Sequence, residues 1–276
     1  MTTRTVGNAL EGFEKSQFRS TSNVTHDIYS IGSGPAVIVI HEMPGITPLV
    51  AGFGRKVATR GMTAVLPDLI GTPGKPITIP YVLSSFARAC ISNEFTVLAL
   101  NKTSPIVKWL RELAAHEHEA HGGPGVGAVG MCLTGGFALA MCVEPVVVAP
   151  VMSQPSLPLP INAAHRRGLG LSDNDYAIVR ERVNEGLCVM GLRFSGDTKS
   201  PRDRFERLHH ELGDNFLGVE IDSSASNPWG YKKSAHSVLT EDYSDAQGSP
   251  TSTALDQVLH FFETTLGVDV APTSEP

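Results

Sequence analysis

A cysteine set in a bend, an aspartate and a histidine are the residues of this chain best placed to carry acyl-transfer chemistry. The cysteine is Cys132, in Ala128-Val129-Gly130-Met131-Cys132-Leu133-Thr134-Gly135-Gly136. This stretch reads as a buried strand, one thiol, and a Gly-rich turn into an apolar helix over 137–143. Gly130 and Thr134 flank the sulfur at i−2 and i+2, so the chain can approach itself closely and turn sharply, lifting the side chain out of the sheet. A helix that starts just past the sulfur points free N–H groups and its positive end at it, which favours a thiolate and can hold an oxyanion. Most buried cysteines are small hydrophobes. An inert core cysteine needs no bend, so the flanking glycines favour a nucleophile.

The orienting acid and the base come later in the chain. Asp197 lies in Phe194-Ser195-Gly196-Asp197-Thr198-Lys199-Ser200-Pro201, just after an apolar run over 187–194. A carboxylate there can fix the tautomer of an imidazole and stabilise its cation, and it can equally cap the helix that follows. His236 lies in Ser234-Ala235-His236-Ser237-Val238, in a loop between the last apolar strand and the last helix. One loop histidine among ten is weak evidence alone. Its place after a nucleophile and an acid matches the Ser…Asp/Glu…His order of the α/β-hydrolases. Glu42 and Asp68 follow the first two central strands, where open parallel sheets place their ligands.

Other motifs point nowhere. Residues 125–130 match G-x-G-x-x-G, but what precedes them reads as a helix end and a loop. The next strand ends without an acid for a ribose, so no nucleotide cofactor is expected. His116, His118 and His121 do not form H-E-x-x-H and find no further ligand at matching spacing, so no metal is expected.

The elements that must position these side chains alternate along the chain. Strands are expected at 36–40, 62–68, 146–151, 187–194 and 216–221, besides the one leading to Cys132. Helices are expected at 49–60, 94–121, 172–185, 201–212 and 251–266, with 69–93 and 154–171 as Pro/Gly-rich excursions. This alternation predicts an α/β fold, one mostly parallel central sheet with helices on both faces. It forms a single domain over 26–268, with a loosely attached segment over 1–25 and a frayed tail over 269–276. With 276 residues, 41% hydrophobic and 18% charged, and a net charge of −6 without long runs, the chain suits a globular protein without a nucleic-acid or membrane surface. No secretory signal is read at the N-terminus, and four cysteines without C-x-x-C spacing suit free thiols in the cytoplasm.

The motifs around Cys132, Asp197 and His236, together with His41-Glu42-Met43-Pro44-Gly45, resemble the dienelactone hydrolases over nearly the whole chain. The resemblance implies an α/β-hydrolase fold and a Cys132–His236–Asp197 triad without a cofactor. It also implies that Glu42 touches the resting thiol, and that the backbone N–H groups of Met43 and Leu133 form the oxyanion hole. The implied activity opens an activated lactone or ester through a thioester, acting on a small molecule as a monomer or small homo-oligomer. A redox role for Cys132 is the alternative, with Cys142 a poor resolving partner ten residues on. Two departures stand out: Thr134 replaces the family's usual Gly, and no Arg follows His236, where Ser237-Val238-Leu239-Thr240 stands.

Overall fold

Ala36–Ile40 is five apolar residues with no polar face, which only a strand covered on both sides can accommodate. In the structure, a computed structural model describing residues 9–91, 102–157 and 162–268, this run is β3, buried throughout. It follows β1 (Glu14–Arg19) and β2 (Thr25–Gly32), and precedes β4 (Thr63–Pro67), β5 (Val126–Met131), β6 (Val147–Ser153), β7 (Val189–Phe194) and β8 (Phe216–Ile221). The eight strands form one sheet in the order β1-β2-β4-β3-β5-β6-β7-β8. Pairing is parallel from β4 to β8, while β2 runs antiparallel to both β1 and β4.

Helices cover both faces. They are α1 (Pro48–Ala58), α2 (Ile79–Ile91), α3 (Pro105–His121), α4 (Gly135–Met141), α5 (Ala163–Arg167), α6 (Asp173–Asn184), α7 (Arg202–Leu212) and α8 (Pro250–Leu266). Thr47, Ser172 and Ser249 start α1, α6 and α8 by accepting from the free amides of Val50, Asp175 and Ser252. Phe53 and Val57 of α1 and Val258 and Phe262 of α8 pack on one face of the sheet. Trp109, Phe137, Val179 and Leu208 from α3, α4, α6 and α7 pack on the other. The sequence expectation of a mostly parallel sheet sandwiched by helices holds.

Three local expectations need correction. Residues 14–19 are not loosely attached: they pair with β2 in continuous register from Glu14↔Ser30 to Arg19↔Thr25. Glu-Lys-Ser-Gln-Phe-Arg shows no apolar alternation because this edge strand buries almost nothing. The 69–93 excursion contains α2, masked in the sequence by Pro73, Pro76 and Pro80. The 154–171 excursion contains the one-turn helix α5. Residues 94–101 of the expected helix over 94–121 lie outside the described residues, as does the tail over 269–276. No helix among the described residues is long and apolar enough to cross a membrane.

Candidate active site

The bend at the end of β5 is built from its glycines. Cys132 has φ +56°, a left-handed conformation that a non-glycine residue holds only under constraint from its surroundings. The chain then makes one 3-10 turn over Cys132–Thr134 and enters α4. A Cβ on Gly130 would collide with the Thr134 carbonyl, and one on Gly135 would lie 2.5 Å from Pro155 Cα. Only glycine allows the turn to close on itself and on the neighbouring loop. Thr134 adds a brace: its hydroxyl accepts from Met131 N at 3.0 Å and lies 3.0 Å from Ile40 O and 3.2 Å from His41 O. The bend is thereby tied to the loop leaving β3, which carries Glu42 and Met43. Leu133 sits in the first turn after the sulfur, where helix amides lack intrahelical partners.

The structure brings His236 and Asp197 together. His236 Nδ1 donates to Asp197 Oδ2 at 2.6 Å, and Asp197 Oδ1 accepts from Lys199 N at 2.9 Å. Asp197 is buried, which opposes its charge, but bonds from His236 and the Lys199 and Ser200 amides hold its carboxyl below the usual range. The imidazole is buried too, which works against its cation. The charge of the adjacent Cys132 and the bond to Asp197 outweigh that and raise it to about 10. Nε2 is buried beside the sulfur without a hydrogen bond of ordinary geometry to any described residue. Arg193, in β7, braces the Asp197 loop from beneath: its guanidinium bonds Ser200 O at 2.9 Å and Ser195 O at 3.2 Å, and pairs with Glu220.

The hydrogen bonds of the Glu42 carboxylate go to the histidine loop and Gln154 and not to the thiol. It accepts from Ser237 Oγ at 2.7 Å, from Gln154 Nε2 at 3.3 Å and from the Thr240 hydroxyl. The hydroxyl next to the thiol is that of Ser156, whose Oγ lies 3.2 Å from Cys132 Sγ. The reason is local: hydroxyls at 237 and 240, where an Arg is missing, draw the carboxylate toward the histidine loop. Asp242 Oδ2 secures the same loop through the amides of His236 at 2.7 Å and Ser237 at 3.0 Å. His41 is neutral, pushed down to about 4 by burial; its Nδ1–H donates to Glu42 O at 2.9 Å and its Nε2 accepts from Leu69 N. Asp68 lines a separate cavity of about 310 Å³ with Leu69, Ile70, Gly71 and Arg88, and burial pushes its carboxyl up to about 6.

Sequence reasoning missed Ser156, Gln154 and the hydroxyls of Ser237 and Thr240. Thr134 carried a visible signal as a departure from glycine, and Ser237 and Thr240 were marked only as the place of a missing Arg. Among the described residues no group of three or more His, Cys, Asp or Glu side chains could hold a metal ion. Cys142 is buried and bonded to Ala138 O, and burial pushes its thiol up to about 12. A groove of about 890 Å³ lined by Leu187, Cys188, Met190, Leu217 and Phe261 includes none of Cys132, Asp197 and His236.

A strand–cysteine–helix bend on an eight-stranded sheet in this order, with an Asp–His pair on the later strand ends, defines an α/β hydrolase. The chain belongs to the dienelactone hydrolase family, whose sequence model matches residues 27–171. It is a carboxylic ester hydrolase. Solved structures agree on the fold. A candidate dienelactone hydrolase from Klebsiella pneumoniae superimposes with TM-score 0.58 at 16% identity, covering 93% of this chain and 98% of that one. A dienelactone hydrolase from Anabaena variabilis gives 0.55 at 13% identity, covering 93% and 100%. The α/β hydrolase GrgF from Penicillium gives 0.58 at 13% identity, covering 92% and 99%. No curated protein matches the sequence.

Proposed function

We propose that this protein opens activated lactones or esters, enol-lactones foremost, through an acyl-thioester on Cys132, with His236 and Asp197 completing a Cys–His–Asp triad. The observation that carries the reading is the 2.6 Å bond from His236 Nδ1 to Asp197, which leaves Nε2 free on the side of a sulfur held at φ +56°. In the first step the Cys132 thiolate attacks the carbonyl carbon, and the oxyanion accepts from the amides of Met43 and Leu133. Such donors contribute roughly 3–4 kcal/mol in other hydrolases. The tetrahedral adduct expels an alkoxide or enolate, which takes the proton from His236. The neutral imidazole then removes a proton from water as it attacks the thioester, and sulfur departs as thiolate. Glu42 acts by holding the histidine loop through Ser237 and Thr240. The substrate is a small molecule, with no nucleic-acid or membrane partner. The protein acts as a monomer or small homo-oligomer in the cytoplasm, where the free thiols Cys132, Cys142 and Cys188 stay reduced.

The test is a panel of enol-lactones, p-nitrophenyl esters and acyl thioesters given to the wild type and Cys132→Ala. Wild type turns over the activated esters and lactones, iodoacetamide abolishes turnover, and rapid-quench mass spectrometry finds the acyl group on Cys132. Full turnover by Cys132→Ala would overturn the reading.

A further inference from the structure

We propose that the Ser156 hydroxyl is a catalytic hydrogen-bond donor to the Cys132 sulfur, stabilising the thiolate both before attack and when it leaves the thioester. The inference rests on Cys132 being the nucleophile, but the contact itself can be tested apart from turnover.

Ser156 holds Cys132 at two points. Its hydroxyl lies 3.2 Å from Sγ, and its amide donates to the Cys132 carbonyl at 2.9 Å. The second bond fixes the first, because it sets the distance between the two backbones. Ser156 is itself tightly framed. It is only 8% exposed, and Gln154, at φ +36°, donates its amide to Leu192 O at 2.7 Å. Pro155 packs on Gly135, and its carbonyl is bonded by the buried guanidinium of Arg204. Other nitrogens of that guanidinium hold Gly168 O at 2.6 Å and His165 O at 3.1 Å, so both sides of the following loop share one anchor. Among the described residues the Ser156 hydroxyl has no other hydrogen-bond partner, and an anionic sulfur, which can only accept, would take its O–H.

The type of group matters here. A carboxylate beside the sulfur can only accept, which keeps the proton on the thiol; a hydroxyl can donate, which favours the thiolate. The Glu42 carboxylate is bonded by Ser237, Thr240 and Gln154 and makes no hydrogen bond to the thiol. The charged and titratable groups around the reaction centre are then His236 and Asp197 on one side, Glu42 and neutral His41 at the end of β3, Glu241 and Asp242 behind the histidine loop, and the buried guanidiniums of Arg204 behind Pro155 and Arg193 beneath the Asp197 loop. Ser156 is the uncharged hydroxyl that lies on the sulfur itself. It moves no proton. Its bond is strongest when the sulfur is anionic and weakens in the thioester, so it assists the return of negative charge to sulfur in deacylation.

The experiment measures the second-order rate of iodoacetamide alkylation against pH for wild type, Ser156→Ala and Ser156→Thr, with Cys132→Ala as the background. Melting temperatures are recorded alongside. Both Ser156 variants keep the backbone amide that holds the Cys132 carbonyl. Hydrogen bonds to charged groups predict that Ser156→Ala alkylates roughly tenfold more slowly near neutral pH, recovering at high pH. Its kcat falls by a similar factor at little-changed KM, and trapped acyl-enzyme lives longer. Ser156→Thr restores both rates. Alkylation of Ser156→Ala that follows the wild type at every pH would overturn the proposal, as would a loss that Ser156→Thr shares in full. Should Cys132→Ala keep hydrolytic activity, the nucleophile assignment fails, while the alkylation profile still decides whether Ser156 bonds the sulfur.

Discussion

Asp197 matters to the proposed triad through a single oxygen. Oδ2 fixes the imidazole with its Nε2 toward Cys132, while Oδ1 is held by the Lys199 amide. Replacing Asp197 with Asn keeps the size but offers an N–H or a neutral oxygen to Nδ1, so the ring turns or adopts the wrong tautomer. Asp197→Asn is expected to lower kcat by on the order of 10⁴, the loss found when this partner is neutralised in serine-type triads. Steady-state kinetics on an activated ester, with circular dichroism to confirm the fold, checks it. Glu42 makes a contrasting case. It has no hydrogen bond to Cys132 and acts through hydroxyls on the histidine loop. Glu42→Gln keeps an oxygen for one hydroxyl and turns an N–H toward the other. The expected loss in kcat is on the order of tenfold, from about one charge-assisted hydrogen bond, with KM nearly unchanged. A loss as large as that of Asp197→Asn would show that Glu42 acts on the sulfur itself.

The bend, the β3 loop and the histidine loop work as one unit because short polar side chains link them. Thr134 makes the first link, between the Met131 amide and the carbonyls at the end of β3. Thr134→Val keeps the shape but leaves a buried amide unpaired. Loss of about 1–3 kcal/mol in urea unfolding is expected, with a fall in kcat as the Met43 and Leu133 amides lose their mutual alignment. Unchanged stability and kcat would remove Thr134 from this role. Elements differ in how legible they were. β3, β5 and β7 could be read because buried parallel strands write themselves as apolar runs. β1 could not, because an exposed edge strand has no apolar face to alternate, nor α2, whose start carries the prolines of a loop. At the site, Cys132 was announced by its glycines, and Asp197 and His236 by their order after strands. Ser237 and Thr240 stood out only as the place of a missing Arg, and their role was hidden: their bonds to Glu42 span 195 and 198 positions, and hydroxyls in loops have no periodic signature.

At the scale of the whole molecule, the buried titrating groups link folding to pH, and their shifts fall in different windows. In mild acid two of them oppose each other. Asp68, raised to about 6 by burial, loses stability as pH climbs toward that value, while His41, lowered to about 4, gains it up to the ordinary histidine range. Above neutrality His236 dominates. Its folded value, about 10, lies above the ordinary 6.5 despite the cost of burial, because of the Cys132 charge and the bond to Asp197. A raised value means that the folded protein keeps a proton the unfolded chain has lost. The contribution is therefore complete below pH about 6.5 and drains away as pH rises toward about 10. Cys142, raised from 9.0 to about 12 by burial, adds a second decline only above pH about 9. Part of the rise in His236 comes from the charge of Cys132, so the slope of the imidazole alone is read with the sulfur removed. In Cys132→Ala the bond to Asp197 still raises His236, and unfolding free energy should fall as pH climbs above about 6.5, with a limiting slope of about 1.4 kcal/mol per unit for one proton. Urea titrations at pH 6.5, 7.5 and 8.5 on Cys132→Ala and on the double variant Cys132→Ala/His236→Gln test this. The first loses stability across the series and the second does not; equal slopes in the two would mean that the proton retained on folding belongs to another group.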